Sequence, residues 1–488
     1  MATVELAREQ LLIGGRWTDA DGGRTFEQTF PFTGEAVGTA AAAGRADAHA
    51  AVDAAHAAFA TWGRSTPGER RTILTKAADL LSERAEQIAQ IVTEETGGVF
   101  GWGMFNVALA SNMLREAAAQ TYGLIGEVIP SDVPGKLAMG VRQPAGVVVA
   151  IAPWNAPVIL STRSVATPLA FGNTVVLKAS ELCPRTHAAV VHALQDAGLP
   201  EGVINLITND PADAADVVDE LIAHPATRRI NFTGSTKVGR IIAENAGRHL
   251  KRVLLELGGK APMVVLPDAD LDNAAAAAHF GAFFHQGQIC MSTERIVADR
   301  AIAQDLAERI AQRARAATVG DPRDPQTQIG PLINSAAMAR VTGLVKDAVE
   351  KGATTLSGGE ADGTCYPPTV ITGVTPEMRV YGEESFGPLV TVVEVDGVDE
   401  AVATANDTEY GLSAAVWSQN VPAALELAQR IESGICHIND TTVQDEPQMP
   451  FGGVKASGWG RFGGRAALEE FTELRWITVQ ELPRQYPI

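Results

Sequence analysis

Cysteine is scarce in this chain: four in 488 residues, Cys183, Cys290, Cys365 and Cys436, with neither a CxxC pair nor regular spacing. That pattern suggests neither a disulfide framework nor a zinc site, and no metal is expected. Positive charge is in deficit as well. Thirty-nine Lys and Arg against 58 Asp and Glu leave a net charge of −19, the wrong sign for gripping nucleic acid or an anionic membrane surface. The acidic excess reads as a solubility device. No apolar run approaches the roughly 20 residues of a membrane helix, and the polar, acidic start is unlike a secretory signal. A cytoplasmic protein is expected. Internal repeats, low-complexity tracts and long linkers are missing too, and no GxGxxG follows a strand pattern.

What remains is an ordinary globular composition, 46% hydrophobic and 20% charged, in a chain long enough for two or three domains. Residues 45–96 carry Ala, Leu and Ile at helical spacing, broken at Ser65-Thr66-Pro67-Gly68, and read as two or three amphipathic helices. From Ala145 onward, short β-branched runs alternate with helical segments. The strands are expected at 147–151, 174–178, 203–207, 229–232 and 253–256, the helices between them at 184–197, 212–223 and 237–246. Such alternation means βαβ units and a parallel sheet covered on both faces, with ligands beyond the carboxyl ends of the strands. A second α/β block runs from about 259 to 439, with strands at 389–395 and 414–417. An apolar, β-branched stretch at 471–479 reads as a terminal strand that pairs across a subunit contact or closes its own sheet.

The chemistry concentrates at strand ends. Pro153-Trp154-Asn155 ends the first strand, Lys178-Ala179-Ser180-Glu181 the second and Phe232-Thr233-Gly234-Ser235-Thr236 a later one; Glu256-Leu257-Gly258-Gly259-Lys260 closes the block. Cys290 follows 34 residues after Glu256, inside Phe283-Phe284-His285-Gln286-Gly287-Gln288-Ile289-Cys290-Met291-Ser292. A thiol with thiolate character is a nucleophile, and a carboxylate near it is a candidate base. Taken singly, each has a bland alternative: Cys290 as a small buried hydrophobe, Asn155 as a helix cap, Glu256 as a solvated strand end.

With Glu383-Glu384-Ser385-Phe386-Gly387-Pro388, these words resemble the aldehyde dehydrogenase superfamily, in order and approximate spacing over nearly the whole chain. The resemblance implies two doubly wound parallel-sheet domains and a small β oligomerisation element. Residues 1–122 and 146–256 would bind NAD, 257–440 would form the catalytic domain, and 123–145 with 470–488 would assemble a homodimer or homotetramer. It also implies that Cys290 attacks an aldehyde carbonyl, that Asn155 and the Cys290 N–H hold the oxyanion, and that Glu256 activates the water that hydrolyses a thioester to free acid. For the cofactor it implies Trp154, Lys178 and Glu181, the turn Gly234, Ser235 and Gly239, then Leu257, Glu384 and Phe386. The Glu181 carboxylate would accept ribose hydroxyls and repel a 2′-phosphate, so NAD is expected over NADP.

The resemblance is to the vanillin, salicylaldehyde and benzaldehyde dehydrogenase branch, through Pro-Trp-Asn-Ala-Pro and Asp445-Glu446-Pro447-Gln448-Met449-Pro450-Phe451-Gly452-Gly453-Val454-Lys455. It implies an aromatic aldehyde in a pocket walled by Trp102, Phe105, Phe284 and Phe451, with Ile289 and Met291 beside the nucleophile. Arg163, eight residues after Asn155, stands where the family often has a large aromatic side chain. Its guanidinium needs an acceptor, either an oxygen on the substrate ring or a protein carboxylate. An aliphatic aldehyde or a semialdehyde, a cysteine esterase and a non-catalytic scaffold are the alternatives.

Overall fold

The computed structural model describes residues 7–488. An eight-stranded sheet forms the first layer. Its strands run in the order Gly458–Trp459, Arg252–Glu256, Thr227–Thr233, Val147–Ile151, Thr174–Lys178, Ile204–Ile207, Leu11–Ile13 and Arg16–Thr18. The five inner strands are parallel. Val147–Ile151 and Thr174–Lys178 are buried at every position, as unbroken Val-rich runs between two helical layers should be. Chain order proceeds from Val147–Ile151 outward to one side, then returns to its other side at Thr227–Thr233. That reversal opens a crevice at the carboxyl ends.

A seven-stranded sheet carries the second layer, in the order Thr354–Ser357, Thr369–Thr372, Leu389–Val395, Thr293–Asp299, Ala261–Val265, Ser413–Trp417 and Ile435–Ile438. Only its first pair is antiparallel. A third, three-stranded antiparallel sheet joins Thr472–Gln480, Lys136–Pro144 and Glu127–Ile129. The terminal strand therefore closes a sheet within its own chain. Its outward side chains stay bare, with Trp476 75% and Leu474 64% exposed.

The expected inner strands and helices are present within a residue or two. Residues 45–96 form three helices, Arg45–Trp62, Pro67–Glu83 and Ala85–Thr96. The second starts where the sequence breaks: Pro67 takes the first helical position and Thr66 Oγ1 accepts the Glu69 N–H. Elements beyond the expectation include the two N-terminal strands of the first sheet, a separate three-stranded sheet of Ala7–Glu9, Ala36–Ala41 and Thr25–Thr29, the helix Phe100–Gln120, and Gly458–Trp459. The last of these pairs with Arg252–Glu256, so chain beyond 440 returns to the first sheet. No helix among the described residues is long and apolar enough to cross a membrane.

Candidate active site

Asn155 and Ser235 stand just past two inner strand ends, and Glu256 is the last residue of a third. The edges are tied together by backbone bonds: the Gly234 N–H donates to the Glu256 carbonyl at 3.0 Å. Ser235 caps the helix Thr236–Arg248 through the Val238 N–H, which turns that helix's N-terminal N–H groups toward the crevice.

Cys290 reaches the same place through a loop in an uncommon conformation. His285, Gln286 and Gly287 all have positive φ, at 49°, 57° and 68°, and non-Gly residues hold that region only when their surroundings enforce it. The enforcement is visible. The Gln286 amide donates to the Gly97 and Pro331 carbonyls at 3.1 and 3.0 Å, and Gln288 Oε1 accepts the Ile333 N–H at 3.0 Å. The buried glutamines around Cys290 are thus the anchors of its loop. Gly259 makes room for it, since a Cβ there would lie 2.3 Å from the Cys290 carbonyl oxygen.

These elements enclose a cleft of about 1520 Å³. It is lined by the three residues expected to be catalytic, Cys290, Glu256 and Asn155, and by Trp154, Lys178, Glu181, Gly234, Ser235, Leu257, Glu384 and Phe386. Gly239 is the exception among the expected cofactor residues. It packs under the cleft, where a Cβ would meet Leu257 Cδ2 at 2.5 Å, so its contribution is to let the helix close on Leu257.

Burial governs the titrating groups. The Glu256 side chain is sealed, so desolvation pushes its carboxyl up to about 7, with the Arg163 charge and the Cys290 thiol opposing. Desolvation also holds the Cys290 thiol well above its ordinary value, helped by the charges of Glu256 and Glu384. Asn155 Nδ2 donates one hydrogen to the Gln288 carbonyl at 2.9 Å, which leaves the second for an oxyanion. The Trp102 indole N–H donates to the Asn155 carbonyl at 3.1 Å, fixing that residue from the opposite side.

Glu384 is pushed up to about 8 by burial, then by the neighbouring Glu294 charge, while the Gly259 N–H donates to its Oε1 at 2.9 Å. Glu294, absent from the sequence expectations, organises this turn. It accepts from Lys260 Nζ at 2.5 Å, from the Ser385 N–H and hydroxyl at 2.8 and 2.9 Å, and from the Phe386 N–H at 3.2 Å. The buried ion pair of Lys260 with Glu294 thereby holds Phe386 at φ 47°, edge-on to Trp154 at 5.8 Å. A buried lysine in the Glu256–Lys260 word was the available signal, because such a charge needs a carboxylate.

The residues expected to wall the substrate divide into two groups. Trp102, Phe105 and Phe284 form one aromatic cluster, with ring centroids 5.0 to 6.0 Å apart. Phe280 and His285, neither expected, extend it by stacking on Phe284 and Trp102 at 4.7 and 4.5 Å. Phe280 sits four residues before Phe284, a helical spacing readable from sequence. Ile289, Met291 and Phe451 are buried in the apolar cluster against which Cys290 packs. Of the two acceptors open to Arg163, the fold supplies the carboxylate: Nη2 donates to Asp445 Oδ2, and the guanidinium lies over the Phe451 ring at 4.1 Å. Away from the cleft, His49, Asp53 and His224 approach one another. His49 Nδ1 lies 2.9 Å from Glu220 and His224 Nε2 3.2 Å from Asp53, a hydrogen-bonded surface network.

The model of the aldehyde dehydrogenase family matches residues 17–477. The chain belongs to that family. As an aldehyde dehydrogenase it is an oxidoreductase acting on the aldehyde group with a nicotinamide cofactor. It is 56% identical over 478 residues to a vanillin dehydrogenase of Pseudomonas fluorescens, covering 98% of this chain and 99% of that one. The solved structure of a salicylaldehyde dehydrogenase from Pseudomonas putida G7, complexed with salicylaldehyde, superposes with a TM-score of 0.97 at 44% identity, covering 99% and 100% of the two chains. A NAD-dependent aldehyde dehydrogenase from Sinorhizobium meliloti gives 0.95 at 37% identity, covering 99% and 97%.

Proposed function

We propose that the protein oxidises aromatic aldehydes of the vanillin, salicylaldehyde and benzaldehyde type to carboxylic acids, with NAD as acceptor. The observation that carries this reading is a thiol, a sealed carboxylate and an amide on one dinucleotide-sized cleft, with an aromatic cluster joined to it where the Trp102 indole meets the Asn155 carbonyl. The likeness to the vanillin and salicylaldehyde enzymes supports the choice of substrate.

The cleft suits the cofactor. Lys178 Nζ pairs with Glu181 at 3.2 Å, which offsets its charge toward a 2′-phosphate, while Glu181 offers oxygens to ribose hydroxyls. The helix N-terminus at Ser235 suits a pyrophosphate, and Glu384 a second ribose. Bound there, the nicotinamide ring supplies the acceptor for the hydride that converts a thiohemiacetal into a thioester.

The chain's own residues do the rest. Cys290, its proton passed to solvent water, adds to the aldehyde carbon, and the carbonyl electrons move to oxygen. The free hydrogen of Asn155 and the Cys290 N–H meet that oxyanion; one such donor is typically worth about 3 to 4 kcal/mol. Once the thioester stands, Glu256 takes a proton from water as it attacks, and the Cys290 thiolate leaves. A carboxyl near 7 matches that task at neutral pH.

Cofactor reduction across benzaldehyde, its hydroxylated derivatives and straight-chain aldehydes tests the reading. The rings are expected to exceed the chains in kcat/KM by about tenfold or more, and NAD to exceed NADP. Preference for short chains or acidic semialdehydes would remove the aromatic assignment. We also propose that the bare face of the three-stranded sheet joins copies of the chain in a dimer or tetramer. Sedimentation as a monomer at working concentration would refute that.

A further inference from the structure

We propose that the Arg163–Asp445 pair is a recognition site for a hydroxyl group on the substrate ring, with Asp445 Oδ1 as acceptor. The inference rests on the aromatic reading above and specifies it. Arg163 lies on the helix Pro157–Ala170, two turns beyond Asn155, and its guanidinium is fixed on both sides by Asp445 and the Phe451 ring. Both side chains are more than nine-tenths buried. Asp445 Oδ2 is committed to Arg163, whereas Oδ1 is buried with no hydrogen-bond partner, a costly condition for a carboxylate oxygen.

Beside the pair lies a cavity of about 20 Å³, bounded by Arg163, Asp445, Phe451, Met113, Ala117 and Met449. That is room for about one oxygen-sized group and too little for a ring or a methoxy group. The pair also faces the reacting groups electrostatically. Arg163 favours the charged forms of Glu256 and Cys290, and Asp445 opposes the charge on Glu256, so both act within Coulombic reach of the base. The Arg163–Asp445 contact therefore sets the chemistry: with the guanidinium engaged, the open valence of the pair is an acceptor. A ring hydroxyl donates to it, and a methyl ether of the same ring does not.

The test compares 2-, 3- and 4-hydroxybenzaldehyde with their methyl ethers, each referred to benzaldehyde, in the full-length enzyme with NAD. At one ring position or more, the hydroxyl is expected to exceed its ether in kcat/KM by about 10- to 100-fold. In Asp445→Asn the amide oxygen still accepts from Arg163, and the NH2 group replaces the open acceptor by a donor. The hydroxyl preference should then shrink by about tenfold or more, to what size exclusion of the methyl alone leaves. Equal rates for hydroxyl and ether at every position in the unaltered enzyme would overturn the proposal. So would a preference that persists unchanged in Asp445→Asn, since size exclusion of the methyl would then explain it. Failure of the aromatic reading itself looks different: straight-chain aldehydes would outrun all the rings.

Discussion

Replacing Cys290 by Ala is expected to lower steady-state cofactor reduction by at least about 10⁴-fold, to the background of the assay. The reaction proposed for this cleft is covalent, and no other nucleophile lines it at that position: Asn155 and Glu256 are the neighbours, and the remaining cysteines lie elsewhere. The loss should come without loss of fold. Cys290 is only partly buried, its loop is held by Gln286, Gln288 and Ser292, and Ala removes a single sulfur. A melting temperature within a few degrees, NAD binding unchanged and turnover gone is the expected combination. Turnover of more than about one per cent in a folded variant would put the nucleophile elsewhere. The raised ionisation of the thiol adds a second observable. Burial and the negative charges of Glu256 and Glu384 favour the protonated form, so alkylation of Cys290 in the cofactor-free protein should be slow near neutral pH and quicken as pH rises.

The parallel sheets were legible because buried parallel strands are written as short unbroken runs of Val, Leu and Ile, and the helices between them keep their own period. The site was legible because its residues follow directly on strand ends, where a short polar word is conspicuous after an apolar run. What escaped the reading is long-range pairing. Glu294 meets Lys260 and the Ser385–Phe386 turn across 34 and 91 residues, and no local pattern records either contact. Asp445 was read as part of a phrase, and Arg163 as a departure, yet only the fold brings them together across 282 residues. Their meeting decides whether that corner of the site donates or accepts.

Gly239 shows what spacing alone leaves open. Glycine in a strand-to-helix turn suggests close approach by a phosphate, but here the close approach is by Leu257. Sequence spacing marks where a backbone must be bare without saying what comes near it. The Gln-rich setting of Cys290 likewise gains its meaning only in the fold. Polar residues without an evident packing role turned out to be buried, holding three left-handed residues in place.

Glu256→Gln separates the two halves of the reaction. The amide keeps the volume and cannot take a proton, so acyl transfer to water should fall by about 10³-fold, within the usual range for loss of a general base. Thioester formation asks less of this residue, because the oxyanion is met by Asn155 and the Cys290 N–H. Rapid mixing with excess NAD should therefore show one equivalent of reduced cofactor per active site, then a stall. The pH profile carries the sign. Glu256 acts as base only when ionised, and its carboxyl is pushed up to about 7, so deacylation in the unaltered enzyme should rise with pH through that value and level off above it. The variant should lose that inflection while keeping its burst. Asp445→Asn removes a negative charge that opposes ionisation of Glu256 and should move the inflection down, whereas loss of the Arg163 charge should move it up. A burst that disappears with the steady state in Glu256→Gln would mean that Glu256 is needed to ionise Cys290. Full steady-state turnover would mean that the water is activated by some other group.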